Sequence, residues 1–191
     1  DTLQLVSGRG FQDNDIVAVT NCNNEQSAIN TDVFRIDGAV TAAGNITATS
    51  ALSQTYEGGP AFSVRQTSYR VANVGGTPTL QRRVNGGTWS DLIAPVYSMQ
   101  IIYGEDTDAD DAANRYVARG NVGNIANVVA VRVQLIIGGN KPNVTRAGAT
   151  PNLTAGGNQE VQFDSAYGGD TITLPDNRIG QRFTIAAALR A

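Results

Sequence analysis

One stretch alternates apolar and other residues with a period of two: Val129-Ala130-Val131-Arg132-Val133-Gln134-Leu135-Ile136-Ile137. Its apolar row consists of Val129, Val131, Val133, Leu135 and Ile137. Arg132 and Gln134 fall on the opposite side, as expected for a β-strand that packs one face on a core. The C-terminus repeats this pattern, and we expect its polar row, Arg182, Thr184 and Arg190, to face outward. The row expected to face inward is Phe183, Ile185, Ala187 and Leu189.

Shorter runs rich in β-branched and aromatic residues predict six further strands. These runs cover residues 3–6, 15–20, 33–37, 63–72, 79–84 and 99–103. The turn residues Asn73-Val74-Gly75-Gly76-Thr77-Pro78 predict a hairpin over residues 69–84. Residues 89–96 favour one short helical turn, with Ser90 or Asp91 as its cap and Pro95 limiting it.

Two long regions lack a firm period. Residues 38–59 are rich in Ala, Thr, Ser and Gly, and residues 138–180 are rich in Gly, Asn, Thr and Pro. Loops of this length are usually functional, and interaction surfaces tend to lie on them, so we expect partner contacts there. The chain as a whole is predicted to be α+β, mostly β, with residues 1–191 forming a single domain with long loops.

The composition excludes several kinds of catalytic site, metal site and partner. The 191 residues contain no His, which removes the commonest general base and every His-ligated metal site. The net charge is −3, and the one lysine, Lys141, stands among scattered arginines. Nucleic-acid binders usually concentrate basic residues, so we expect no nucleic-acid partner. The set of catalytic arrangements that the composition allows is short, and we assign no catalytic residues.

The only dense acidic cluster is Glu105-Asp106-Thr107-Asp108-Ala109-Asp110-Asp111, followed by Asn114. Counted from Asp106, the side chains of Asp106, Asp108, Asp110 and Asn114 stand at positions 1, 3, 5 and 9 of a calcium loop. Position 12 is Val117, where such loops carry a bidentate Glu. Two interpretations stay open: a solvated acidic turn between two strands, or a calcium site made of these four residues. No other cofactor is predicted.

The single cysteine and the N-terminus add two expectations. Cys22 has no second cysteine in this sequence, so it is either an inert thiol or bonded outside these residues. The sequence opens at Asp1 without an initiator Met, a charged-then-apolar leader or about 18 consecutive apolar residues. We therefore expect a processed or truncated chain.

From Tyr69 onward a series of segments carries a family resemblance. They are, in chain order, Tyr69-Arg70-Val71-Ala72-Asn73, Gly75-Gly76-Thr77-Pro78-Thr79-Leu80-Gln81-Arg82-Arg83, Leu92-Ile93, Met99-Gln100-Ile101-Ile102-Tyr103-Gly104, Asp106-Thr107-Asp108-Ala109-Asp110, Arg115-Tyr116-Val117, Val128-Val129-Ala130-Val131-Arg132-Val133, Phe183-Thr184 and Ala188-Leu189-Arg190. Upstream, Asp15-Ile16-Val17-Ala18-Val19, Cys22 and Val33-Phe34-Arg35-Ile36 are also similar. In order and spacing, most of the chain resembles the PilW-like minor pilins of type IV pili.

The resemblance implies a pilin-like antiparallel sheet head with no enzymatic activity. Its implied partners are other minor pilins and the major pilin, in a tip complex that primes pilus assembly. The family begins with a leader, a prepilin peptidase site and a long hydrophobic helix, which this sequence lacks. That helix would be its sole membrane contact, with the head first in the periplasm and then on the cell-surface pilus. The family commonly has Gly after the third Asp of its acidic turn, where this chain has Asp111.

Three alternatives remain open at the level of sequence. The first is a calcium-dependent binding module or adhesin of the cell surface that uses the acidic cluster. The second is a pseudopilin of type II secretion, because the GspJ-like pseudopilins are close structural cousins of the PilW-like proteins. The third is a carboxylate-based hydrolase, although no spacing among the four Glu residues singles out a pair.

Overall fold

The described part of the protein consists mainly of β-strands in several antiparallel sheets. A computed structural model describes residues 2–5, 10–21, 31–41, 44–56, 58–144, 150 and 152–189. The strands in this part of the chain are β1 (Thr2–Gln4), β2 (Ile16–Thr20), β3 (Thr31–Arg35), β4 (Asn45–Thr47), β5 (Ala61–Val64), β6 (Thr67–Val74), β7 (Thr77–Val84), β8 (Ser90–Ile93), β9 (Val96–Glu105), β10 (Arg115–Val117), β11 (Val128–Gly138), β12 (Glu160–Gln162), β13 (Thr171–Thr173) and β14 (Gly180–Ala188).

Helical structure within these ranges is limited to single 3-10 turns at Arg119–Asn121, Ile125–Asn127 and Ser165–Tyr167. The prediction of a mostly β fold is therefore confirmed. None of the described helices is long and apolar enough to cross a membrane.

The chain folds as two compact units. The first unit comprises residues 1–68 and 82–90, and the second comprises residues 69–81 and 91–191. The expectation that residues 1–191 form one domain stays a prediction.

The first unit is built on a three-stranded sheet with the order β3-β2-β5 and on the pair β1-β4. Alternate residues of β2, Val17 and Val19, are buried, as the period of two predicts. They pack with Phe34, Ile36 and Ile46 in one apolar cluster. Residues 38–59, which the sequence left without a period, thus contribute a buried side chain, Ile46, from the short strand β4.

The second unit is centred on a four-stranded sheet with the order β10-β9-β11-β14. Strand β11 packs apolar residues on both of its faces. Ile136 belongs to a cluster with Phe163 and Leu174, whereas Leu135 belongs to another with Val96. The long region 138–180 is therefore more than a surface excursion, because its strands β12 and β13 and the turn at Ser165–Tyr167 cover one face of the sheet.

The predicted hairpin over residues 69–84 is confirmed, since β6 and β7 are neighbours in a sheet with the order β6-β7-β8. The helical turn predicted at residues 89–96 is wrong. Those residues contain the strand β8, where the Asp91 carboxylate accepts a hydrogen bond from Nε2 of Gln81 on β7 at 2.7 Å. Pairing with the neighbouring strand therefore replaces the local turn that the capping residues favoured.

The strand predicted at residues 63–72 is also wrong as a single element. It divides into β5 and β6, which belong to different sheets. Between them, the Gln66 N–H donates to Oδ1 of Asn85 at 2.9 Å, and the Asn85 N–H donates to the Gln66 carbonyl at 2.8 Å. These two bonds hold the chain at the point where it changes sheets.

Two predicted orientations need correction. Gln134 was expected to face outward, but it is fully buried because residues 159–180 cover its side of β11. The C-terminal apolar row was expected to face inward, but Phe183 is 47%, Ile185 57% and Leu189 56% exposed. The strand itself forms as predicted. It is the outermost strand of its sheet, and the side chains packed against the sheet lie over β9 and β11 instead.

Candidate functional site

The acidic cluster lies in the loop that joins β9 to β10. The two strands pair antiparallel, with Glu105 opposite Arg115 and Val117 opposite Tyr103. The Asn114 N–H donates to the Glu105 carbonyl at 2.9 Å and closes the base of the loop. The chain can turn back here because Ala109 and Asp111 have positive φ angles of 64° and 63°. These left-handed conformations are uncommon for residues other than Gly, Asn and Asp.

Glu105 anchors the base of this loop. Its side chain is 3% exposed, and Oε2 lies 2.8 Å from Nη2 of Arg115. Its other oxygen, Oε1, accepts hydrogen bonds from the N–H groups of Gly123 at 2.7 Å and Asn124 at 3.3 Å. Burial alone would raise the pKa of Glu105, but the hydrogen bonds from Asn124, Gly123 and Arg115 outweigh it and lower that pKa below its usual value. Glu105 therefore stays ionised and joins the loop to residues 123–124.

Asp106 organises the loop from within. It is buried, and Oδ1 accepts hydrogen bonds from the N–H groups of Asp108 at 3.1 Å and Ala109 at 2.7 Å. Oδ2 accepts a third hydrogen bond from the N–H of Asp111 at 2.9 Å. Burial acts to raise the pKa of Asp106, yet these backbone donors lower it overall. The loop thus wraps its own amides around one carboxylate.

The structure brings three of the four predicted metal ligands together. Carboxylate oxygens of Asp106, Asp108 and Asp110 lie within 4.8 Å of one another, with Asp108 and Asp110 exposed. The fourth residue, Asn114, uses Oδ1 to accept hydrogen bonds from the N–H of Thr107 at 2.7 Å and from its hydroxyl at 3.2 Å. Hard carboxylate oxygens suit calcium, but Asp106 and Asn114 already serve as acceptors for the loop itself. A calcium site here stays a prediction.

A cavity of about 410 Å³ adjoins the acidic loop. Its other wall is formed by Ala126, Asn127 and Val129, at the start of β11. The Asp106 N–H donates to the Asn127 carbonyl at 2.9 Å, which fixes this wall to the loop. The cavity is therefore bounded by one acidic side and one mostly apolar side.

Sequence reasoning missed a polar cluster around Gln134. Nε2 of Gln134 donates to Oδ2 of Asp164 at 2.7 Å and to the hydroxyl of Thr184 at 2.9 Å, while its Oε1 accepts from the Asp164 N–H at 2.9 Å. Asp164 also forms an ion pair of 2.7 Å with Arg182. On the same sheet, the guanidinium of Arg132 lies 3.6 Å from the centre of the Tyr116 ring. The period of two located Gln134 on a strand but gave no signal of what would cover it.

Cys22, the other residue considered for chemistry, lies outside the described residues. Its predicted state, an inert thiol or a bonded one, stays open.

Comparison with known proteins identifies a family. Residues 67–191, about two thirds of the chain, match the family model PilW, described as Type IV Pilus-assembly protein W. No curated protein and no solved structure matches the chain significantly. The matched range begins at the first residue of β6 and includes every strand of the four-stranded sheet.

Proposed function

The chain belongs to the PilW family of type IV pilus-assembly proteins, and we propose that it is a minor pilin. In this proposal it is a non-enzymatic subunit that joins other minor pilins, primes polymerisation of the major pilin and remains in a complex at the filament tip. The observation that carries the proposal is the family match over residues 67–191, which includes β6 to β14 without interruption.

The roles of the buried acidic groups support a structural protein. Glu105 and Asp106 are buried carboxylates and would therefore be the natural candidates for acid–base chemistry. Their oxygens instead accept hydrogen bonds from backbone N–H groups and from Arg115. Both have pKa values below their usual range, whereas a general acid at neutral pH needs a raised one. Their chemistry therefore suits holding the loop in shape.

The proposed location follows from the proposed role. Before assembly, the head would lie in the periplasm on a hydrophobic helix encoded upstream of Asp1, and afterwards it would lie on the cell-surface pilus. The direct test is to read the residues encoded immediately upstream of Asp1. A prepilin peptidase site followed by an apolar helix supports a pilin or a type II secretion pseudopilin. An ordinary secretory leader would contradict the proposal.

A genetic test separates pilus assembly from secretion and from calcium-dependent binding. Deleting the gene should greatly reduce the number of surface pili, and the wild-type gene should restore them. A gene carrying Asp108→Asn and Asp110→Asn should restore pili as well, because both side chains are exposed and lie outside the fold's core. Unchanged piliation with lost secretion would favour the pseudopilin, and unchanged piliation with unchanged secretion would favour the calcium-dependent binding module. Pili restored by the wild-type gene alone would show that pilus assembly requires the carboxylates of Asp108 and Asp110.

A calcium-dependent binding module is the second candidate. The observation in its favour is the convergence of three carboxylates beside the cavity of about 410 Å³. Calcium bound to the folded state alone raises the melting temperature by mass action. This candidate predicts a higher Tm in millimolar calcium than in chelator, with the increase lost in the double variant Asp108→Asn and Asp110→Asn. An equal Tm in calcium and chelator would exclude it.

A further inference from the structure

A second, smaller cavity lies beside the segment that joins β10 to β11. Its volume is about 350 Å³, and it is lined by Tyr103, Arg119, Val122 and Ile125. All four residues belong to the second unit. The described lining therefore combines one guanidinium with aromatic and aliphatic side chains and contains no carboxylate. A mostly apolar cavity with a single charged group is typical of a ligand-binding site.

The apolar part of the cavity is larger than one side chain. Tyr103 lies on β9 directly opposite Val117 on β10 and Val131 on β11. Directly opposite residues share a face of the sheet, so an apolar row crosses three strands at this point. Ile125 is 73% exposed, the highest exposure of any large apolar side chain in the described ranges. An apolar ligand group in the cavity would remove this surface from water.

Arg119 gives the cavity its charge. Arg115 and Arg182, which belong to the same unit, form ion pairs of 2.8 and 2.7 Å with carboxylates of the chain. Arg119 forms no ion pair with any described residue. A guanidinium presents its N–H donors in a planar fork that matches the two oxygens of a carboxylate. The cavity therefore offers an incoming anion a partner that no described carboxylate of the chain engages.

The wall of the cavity is held in place by the fold itself. The N–H groups of Gly123 and Asn124 donate to Oε1 of the buried Glu105 at 2.7 and 3.3 Å. Oδ1 of Asn124 accepts a hydrogen bond from the Ala126 N–H at 3.0 Å and so caps the turn that carries Ile125. A site that is ordered in advance loses less entropy when it binds a ligand.

The size and chemistry of the cavity restrict what it can hold. A volume of about 350 Å³ is near the lower limit of ligand sites, so it admits one large residue but neither a helix nor a strand. The guanidinium favours an anionic group, and the apolar lining favours an apolar group beside it. The C-terminal residue of a polypeptide offers both, because its carboxylate and its side chain are attached to one Cα. An internal acidic residue in an extended chain has its neighbours' side chains on the opposite face.

We propose that this cavity binds the C-terminal residue of a partner polypeptide, and that this residue has an apolar side chain. The terminal carboxylate accepts hydrogen bonds from the Arg119 guanidinium, while the side chain lies against Tyr103, Val122 and Ile125. The proposal is independent of the minor pilin role, which rests on the family match. Either one can therefore fail without the other.

N-acetyl-leucine is a suitable probe, because it has a terminal carboxylate, an aliphatic side chain and a blocked amine. In an NMR titration of the isotope-labelled chain, it should shift the signals of the Ile125 methyl groups with a Kd on the order of 1 mM. N-acetyl-leucine amide lacks only the charge and should bind at least about tenfold more weakly, because a charge-assisted hydrogen bond is lost. An unshifted Ile125 signal at about 20 mM acid, or equal binding of acid and amide, would overturn the proposal.

Two further probes separate the parts of the ligand. N-acetylglycine keeps the terminal carboxylate but has no side chain, so it should bind more weakly than N-acetyl-leucine. Acetyl-glutamyl-leucine amide has its only carboxylate on a side chain and should also bind more weakly. If N-acetylglycine bound as tightly as N-acetyl-leucine, the apolar part of the proposal would be wrong. If the glutamyl peptide bound more tightly, the occupant would be an internal acidic segment and not a chain terminus.

Substitutions test whether the probe binds in this cavity. Arg119→Gln should reduce the affinity for N-acetyl-leucine at least about tenfold and leave the Tm unchanged, because the side chain is exposed. Arg119→Lys keeps the charge but loses the planar fork, so its affinity should be intermediate. The control Arg65→Gln removes another exposed arginine, in the first unit, and should bind like the wild type. Wild-type affinity in Arg119→Gln, or an equal loss in Arg65→Gln, would contradict the site.

Discussion

Glu105 and Arg115 face each other across the base of the β9–β10 hairpin and form an ion pair of 2.8 Å. The carboxylate is 3% exposed, whereas the arginine side chain is 53% exposed. The pair is therefore asymmetric: Arg115 reaches water, but Glu105 depends on its protein partners. Because Glu105 also accepts from Gly123 and Asn124, one buried charge holds the acidic loop and the segment leading to β11.

Removing this carboxylate should destabilise the fold. Glu105→Ala leaves the N–H groups of Gly123 and Asn124 and the guanidinium of Arg115 without their acceptor. We expect the Tm to fall by several degrees in a thermal melt. Asp110→Ala, which removes an exposed carboxylate of the same loop, is the control and should change the Tm little. If Glu105→Ala and the wild type had the same Tm, the Glu105 carboxylate would not be needed to stabilise the fold.

Lowering the pH should reduce the stability of the fold, because it protonates two carboxylates of the same loop. The folded-state pKa values of Glu105 and Asp106 lie below their ordinary values of 4.5 and 3.8. A lowered folded pKa stabilises the native state above the unfolded pKa and loses that contribution as pH falls through the folded pKa. The Tm should therefore decline steadily below about pH 4.5. The double variant Glu105→Gln and Asp106→Asn should show a shallower decline, and an identical slope would refute this assignment.

Phe163 tests whether the long region after β11 belongs to the core. Its side chain is 1% exposed and packs with Ile136 and Leu174. Truncating a buried Phe to Ala typically costs about 3–5 kcal/mol, because contacts are lost and a cavity remains. Denaturant unfolding should show a loss of that size for Phe163→Ala. Val144→Ala, at a 40% exposed position in the same region, should change stability by less than about 0.5 kcal/mol.

The strands could be predicted where a period of two is long and regular. Residues 129–137 lie within β11, and the Gly-rich turn after Val74 joins β6 to β7 as expected. Both signals are local, because alternation and turn chemistry act between residues close in sequence. The same holds for the convergence of Asp106, Asp108 and Asp110, which are neighbours along one loop.

Which side chains of those strands are buried depends on segments that are distant in sequence, so it could not be predicted from the strands themselves. Gln134 is covered by residues about thirty positions later, as its bond to Asp164 shows, and nothing in its own strand indicates this. The row from Phe183 to Leu189 has the alternation of a buried face, but the position of β14 at the edge of the sheet leaves it exposed. Asn114 has the right spacing for a ligand, yet Thr107 occupies its oxygen. In each case the outcome depends on which segments meet in space.

The alternating backbone of β14 also has a consequence for amide hydrogen exchange. The amides of Phe183, Ile185 and Ala187 face β11 and should exchange slowly, whereas those of Thr184 and Ala186 should exchange quickly in dilute protein. Protected and unprotected amides would therefore alternate along β14 in a hydrogen–deuterium exchange measurement. If the protection of Thr184 and Ala186 increased with protein concentration, another molecule would be covering the outer edge of β14. The odd-numbered amides of β14 therefore report on its pairing with β11, whereas the even-numbered amides report on whether another molecule covers its outer edge.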